Sequence, residues 1–363
     1  MKRTTLLLLS LCLATASAFA QGGATANETA RFLAGLPVEG ALAPLMATTA
    51  WREQARLMDE AWRIKEAQQI VPIRGWMETN AGGYFQSTGT MFYMFGGPDF
   101  LYANIFFPNA STYILAGLEP IGQVPDLTQM PPAQLASELT ALRTSLSSIL
   151  RFQYFITKDM RTELGHGQLN GTLPLLYVFL ARLGYQIIDV APVKTPAEGV
   201  RITFQDASGN APQTLYYFKT NLAGGGQSAF LQWCAERGPG LSLLKAASFL
   251  LHGQNFIGVR NFLLAHSSVI VQDDSGIPLR AFPKGWDVRC YGRYVPHRTT
   301  FAKFHQPDLA AVFNRNPSSP LGFAFGYHWQ KEEGMIMLAT PSEAMPAIET
   351  LPVRKALPVP PEQ

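Results

Sequence analysis

The chain has 363 residues, 47% of them hydrophobic and 15% charged, with 29 Lys and Arg against 26 Asp and Glu. That composition excludes a disordered chain, and so even a charge balance supplies no basic face for a nucleic-acid partner. The 31 glycines and 26 prolines point to many turns around a large core, in one domain or two lobes of about 21–195 and 196–345.

The amino terminus reads as a secretory leader. Lys2 and Arg3 precede the apolar run Leu6 to Leu13, and Ala18-Phe19-Ala20 offers small residues where a signal peptidase cuts, giving a signal peptide over 1–20. The run is shorter than the ~20 residues a membrane helix needs, and Leu11 before Cys12 argues against a lipoprotein cysteine. The expectation is a periplasmic or extracellular protein with no transmembrane segment after cleavage. Without Lys2 and Arg3 the balance is 27 basic to 26 acidic residues, and without Cys12 two cysteines remain, Cys234 and Cys290. In an oxidising compartment these two can pair as a disulfide; the competing reading leaves both buried and reduced.

Residues 42–70 carry Trp51, Ala55, Met58 and Trp62 at spacings of four, three and four, an amphipathic helix that Pro72 is expected to end. Residues 73–118 read as strands and turns, with strands over 91–95, 100–107 and 113–118. Pro131-Pro132 opens a helix with leucines at 135, 139, 142 and 146, running past residue 150. Another spans about 172–184, closed by Gly184. Hairpins are expected over 200–219, 268–282 and 323–338, and helices over 228–237, 241–252 and 255–266. From about 346 to 363 proline recurs and periodicity is lost, a mark of an extended tail. The sum is an α+β fold of mixed, mostly antiparallel strand pairs packed with several amphipathic helices.

The stretch Gly96-Gly97-Pro98-Asp99 precedes Phe100, Tyr102, Phe106 and Phe107. Asp99 suits the third position of a β-turn. The aromatic neighbourhood also suits it to acid–base work, because desolvation raises a carboxyl pKa. Asn104 and Glu119 are close in sequence and join Tyr102 and Phe106 as candidate ligand contacts. Asp273-Asp274-Ser275-Gly276 is hairpin chemistry first, with Gly276 free to take positive φ; as a site, Asp274 would work with His266. Ser242-Leu-Leu-Lys245 matches a short serine-enzyme pattern, yet neither a following Lys-Thr-Gly nor the rest of that set is present, and a helix cap is the simpler role for Ser242. There is no Gly-x-Ser-x-Gly elbow, His-Glu-x-x-His or Walker loop, and the six histidines form no pair at helical ligand spacing, so the sequence names no metal ligands and leaves open only a set brought together by the fold.

The segments Gly97-Pro-Asp-Phe-Leu-Tyr-Ala103, Phe106-Phe-Pro108 and Gly117-Leu-Glu-Pro120, with Gln272 to Pro278 and Tyr291-Gly-Arg-Tyr294, resemble a family of uncharacterised exported bacterial proteins. The resemblance implies an envelope setting and carries no activity. The expected function is a ligand-binding or accessory envelope protein with an aromatic-lined pocket for a small molecule or envelope component, its cofactor requirement unspecified by the sequence. The alternative is a hydrolase using Asp99 or the Asp273–Asp274 pair with His266.

Overall fold

The computed structural model describes residues 23–147, 149–150, 167–224, 228–327 and 333–342. The leader, the proline-rich tail, His166, His328, and the expected helix end beyond residue 150 lie outside the described residues, as does part of the third hairpin.

The fold is α+β. Its helices are α1 (Ala26–Leu33), α2 (Thr49–Lys65), α3 (Val71–Phe85), α4 (Phe100–Phe106), α5 (Pro132–Ser147), α6 (Leu173–Arg182), α7 (Ser228–Ala235), α8 (Ile257–His266) and α9 (Pro307–Arg315). The strands are β1 (Thr90–Tyr93), β2 (Thr112–Gly117), β3 (Tyr185–Val193), β4 (Gly199–Asp206), β5 (Gln213–Lys219), β6 (Gly240–Leu244), β7 (Ser267–Gln272), β8 (Trp286–Gly292) and β9 (Met335–Pro341). They form one sheet in the order β3-β4-β5-β2-β1-β6-β7-β9-β8, so hydrogen bonding runs unbroken across residue 195.

The five central strands, β5-β2-β1-β6-β7, are parallel; the antiparallel partners sit at the two flanks. Strand residues alternate between two buried layers. Met91 and Tyr93 of β1, with Tyr113 and Leu115 of β2, face the larger core built on α1 to α6. Phe92, Met94, Ile114 and Ala116 face the opposite layer, where Phe230, Cys234 and Phe262 pack from α7 and α8. Burial on both faces is what a parallel centre requires.

Several local expectations are corrected. Residues 100–107 form α4 rather than a strand, because Asp99 caps the helix: its Oδ1 accepts the Tyr102 amide at 3.0 Å. Residues 240–244 are a central strand, not part of a helix, and Ser242 lies within it, its Oγ 2.7 Å from Ser267 Oγ. Three residues apart in extended backbone, Ser242 and Lys245 point to opposite faces, which breaks the serine–lysine pairing. The turn after β7 leads into a 3-10 turn, Leu279–Ala281, so no hairpin forms there. Gly276 has no positive φ; its missing side chain is needed because a Cβ would press on the Gln272 side chain. Pro72 does not end the first long helix. A π-helical turn, Glu66–Ile70, precedes it, and Pro72 falls in the first turn of α3, so the helical path continues through the proline.

Cys234 and Cys290 are free thiols rather than a disulfide. Cys234 is in α7 within the core beneath β1, β2 and β5, whereas Cys290 is on β8, at the sheet edge, against Leu309, Met335 and Met337.

Candidate functional site

The order of the parallel strands places a crevice at one end of the sheet. From β1 the chain moves outward to β2 and later β5, then crosses to the other side of β1 for β6 and β7. The loops after β1 and β6 therefore diverge, and open sheets bind ligands at such a reversal, beyond the carboxyl ends of the strands. A cavity of about 430 Å³ lies there. Its walls come from the segments following four parallel strands: Met94 to Gly97 after β1, Gly117 to Glu119 after β2, Thr220 to Leu222 after β5, and Ala246 to Ser248 after β6. Leu250, Phe256 and Tyr327 complete it.

The loop after β6 is conformationally unusual. Ala246, Ser248 and Phe249 have φ of 52°, 53° and 57°, the left-handed region that residues with a Cβ rarely enter. The surroundings hold it there. The Ala246 amide donates to Asp273 Oδ2 at 2.8 Å and the Ala247 amide to Ser275 Oγ at 2.7 Å. Tyr327 donates to the Ala246 carbonyl at 3.0 Å, and its hydroxyl is 3.0 Å from Ser248 Oγ. Phe249 is clamped by stacked Phe304 and by Phe301 and His297. The loop turns Ser248 outward, exposed, at the cavity wall. Backbone strain of this kind clusters at functional sites and costs of order 1–3 kcal/mol per residue.

Beneath the crevice is a buried charged cluster. Lys245, at the end of β6, is 3.2 Å from Asp99 Oδ2. Tyr93 donates to the same oxygen at 3.1 Å, and the Lys245 ammonium lies 4.0 Å from the centre of the Tyr102 ring. Burial raises the Asp99 pKa, opposed by Lys245 and by the Tyr102 and Tyr93 donors. Lys65, at the end of α2, reaches the same region: it donates to the Ile149 carbonyl at 3.1 Å and lies 5.9 Å from the Tyr102 ring. Burial, helped by repulsion from Lys245, lowers its pKa to about 7.

The candidate residues named from sequence fall in different places. Glu119 lines the cavity. Asp99 caps α4 and pairs with Lys245 behind the wall. Tyr102, Asn104 and Phe106 do not line it: α4 is buried along its whole length, so these side chains are core. Tyr102 bonds Gln69, Asn104 bonds Tyr113 and Tyr185, and Phe106 packs on Phe325. His266 stacks on Phe262 just before β7, whereas Asp273 and Asp274 follow the other end of that strand. Six extended residues separate them by roughly 20 Å, so His266 is no partner for Asp274.

Asp274 instead lies 3.6 Å from His297 Nε2. Burial, then the neighbouring Asp273, raises the Asp274 pKa well above the usual carboxyl range. Burial lowers that of His297 to about 4. At neutral pH the His297 imidazole is uncharged, so the contact is not an ion pair. Asp273 accepts from Ala246, from the Ser275 amide at 2.9 Å and from the Ser275 hydroxyl, so it is the member of the pair better able to hold a charge.

Sequence reading passed over Ser248, Tyr327 and Lys65. A usable signal was Leu241-Ser-Leu-Leu244 followed by Lys245-Ala-Ala-Ser248, an apolar strand-length run ending in small residues. Among the described residues, no set of three or more His, Cys, Asp and Glu is placed to hold a metal, and no helix is long and apolar enough to cross a membrane. No protein-family model, curated protein or solved structure matches this chain.

Proposed function

We propose that this chain is an exported envelope protein that binds a small molecule in the crevice between the loops after β1 and β6. The observation that carries the reading is the 430 Å³ cavity at the strand reversal, walled by four post-strand segments and a strained loop. Its size suits a small ligand, and its wall mixes apolar and aromatic side chains with a few polar groups, the usual makeup of such sites. The leader and the resemblance to exported bacterial proteins support the envelope setting. The test is amide NMR of the mature chain titrated with a library of small aromatic acids, amines and alcohols. Shifts confined to residues 94–97, 117–119, 220–222 and 246–250, lost on Asn221→Trp, are expected. A library that moves none of these amides defeats the proposal.

Hydrolysis is the second reading, favoured by Ser248. Its hydroxyl is exposed at the cavity on a left-handed turn directly after a parallel strand, and Tyr327, which bonds it, packs against neutral His297. A fluorophosphonate that labels Ser248, with labelling lost in His297→Ala, supports this reading; an unlabelled Ser248 leaves binding alone.

A further inference from the structure

Among the described residues lining the cavity, one side chain is charged: Glu119. It is 4% exposed, and no Lys, Arg or His among the described residues forms an ion pair with it. Among the described residues its one side-chain hydrogen bond is shared. The Tyr217 hydroxyl donates to the Glu119 carbonyl oxygen at 2.8 Å and only secondarily to Oε2, at 3.3 Å. Burial and the adjacent carboxylate push the Tyr217 pKa far up, so this phenol stays protonated and a donor. The Lys245 ammonium pairs with Asp99.

The backbone is cut to fit the carboxylate. A Cβ on Gly117 would collide with Glu119 Oε2 and sit 2.8 Å from the Gly97 Cα; one on Gly97 would lie 3.2 Å from Oε2. Two glycines on adjacent strand ends thus make room for a carboxylate that has no cation partner among the described residues. A buried carboxylate is better accommodated when a cation faces it. Phe95 and Phe256, ring centroids 5.8 Å apart, and Tyr327 contribute aromatic surface to the same cavity. Aromatic faces beside a carboxylate attract organic cations.

We infer that the crevice takes a small organic cation, an ammonium or amidinium on an apolar body, with Glu119 as its counter-charge. The inference rests on the binding reading above and specifies its ligand class.

Three probes sharing one ring separate the two claims by NMR titration: benzylammonium, benzyl alcohol and benzoate. Benzylammonium is expected to bind at least about tenfold more tightly than benzyl alcohol, with benzoate weakest. Glu119→Gln should bring benzylammonium down to the level of the alcohol. Should Glu119→Gln not fold, Asn221→Lys, which places an ammonium at the cavity wall, should weaken benzylammonium more than benzyl alcohol. Equal binding of cation and alcohol to the unaltered chain overturns the cation and leaves the pocket standing. Absence of binding by all three probes together with a silent fragment library overturns both.

Discussion

Asp99 and Lys245 join the two loops that diverge at the strand reversal: a carboxylate after β1 and an ammonium after β6, 3.2 Å apart and both nearly inaccessible. The pair fixes the spacing of the cavity's two principal walls. Asp99 also ties that spacing to secondary structure, because its other oxygen caps α4. Removing one charge leaves the other buried and alone. Asp99→Asn keeps a capping side chain and should still cost about 3–5 kcal/mol in urea unfolding, with Lys245→Met similar. The double variant should recover much of the loss. A double variant no better than the sum of the two singles would show that the charges do not act as a pair.

Lys65 predicts a pH dependence of the same sign as that of a paired carboxylate, displaced to neutral and alkaline pH. Its folded-state pKa, about 7, lies below the ordinary 10.5. Between those values the unfolded chain holds a proton that the folded chain lacks, so stability rises with pH across the window. Below about 7 the whole cost of burying the ammonium is present. Lys65→Met should therefore stabilise the protein at pH 6, by roughly 1–3 kcal/mol after loss of the bond to Ile149, and the advantage should fade towards pH 10. Urea unfolding at pH 6, 8 and 10 decides it; a difference independent of pH would mean that Lys65 is not depressed.

Gly117 is predicted to be irreplaceable for steric reasons. A Cβ there meets the Gly97 Cα at 2.8 Å and the Tyr217 hydroxyl at 3.0 Å besides Glu119. Backbone on the far side cannot yield as a flexible side chain can. Gly117→Ala should destabilise by about 1–3 kcal/mol and weaken probe binding, whereas Gly75→Ala, with open space around its Cβ position, should not destabilise. Similar melting temperatures for the two variants would contradict the close approach.

How much of this was legible follows from the range of the contacts. Helices α6 and α8 announce themselves by local pattern, and the β4–β5 hairpin by alternation around Asp206 to Asn210. Phe100 to Phe107 misled because aromatic and β-branched residues favour strands when propensity alone is weighed; the Asp99 cap and burial on every side decided for a helix. Leu241 to Leu244 misled for the converse reason: a strand buried on both faces has no alternation to read. The parallel ladders pair β1 with β6, some 150 residues apart, and no local pattern encodes such a partner. Glu119 could be named from sequence as a carboxylate. That it has no cation partner among the described residues depended on where the buried Lys245 points, and Lys245 points at Asp99.

The thiols supply the last prediction. Cys234 is fully buried in α7, where burial drives its pKa far up, and Cys290, half-buried on β8, has its pKa pushed up to about 11. Thiolate is the reactive form, so both should be slow towards iodoacetamide at pH 8. They also stand in separate clusters, Cys234 beside Phe218 and Phe230, Cys290 beside Leu309. An oxidising compartment therefore does not by itself join them. Protein purified without reductant should give both cysteines carbamidomethylated once denatured, by peptide mass mapping, and neither before unfolding. Treatment with dithiothreitol should change neither the count nor the melting temperature. A peptide pair linked through Cys234 and Cys290 would require α7 and β8 to approach each other across the sheet edge and would contradict the packing of both.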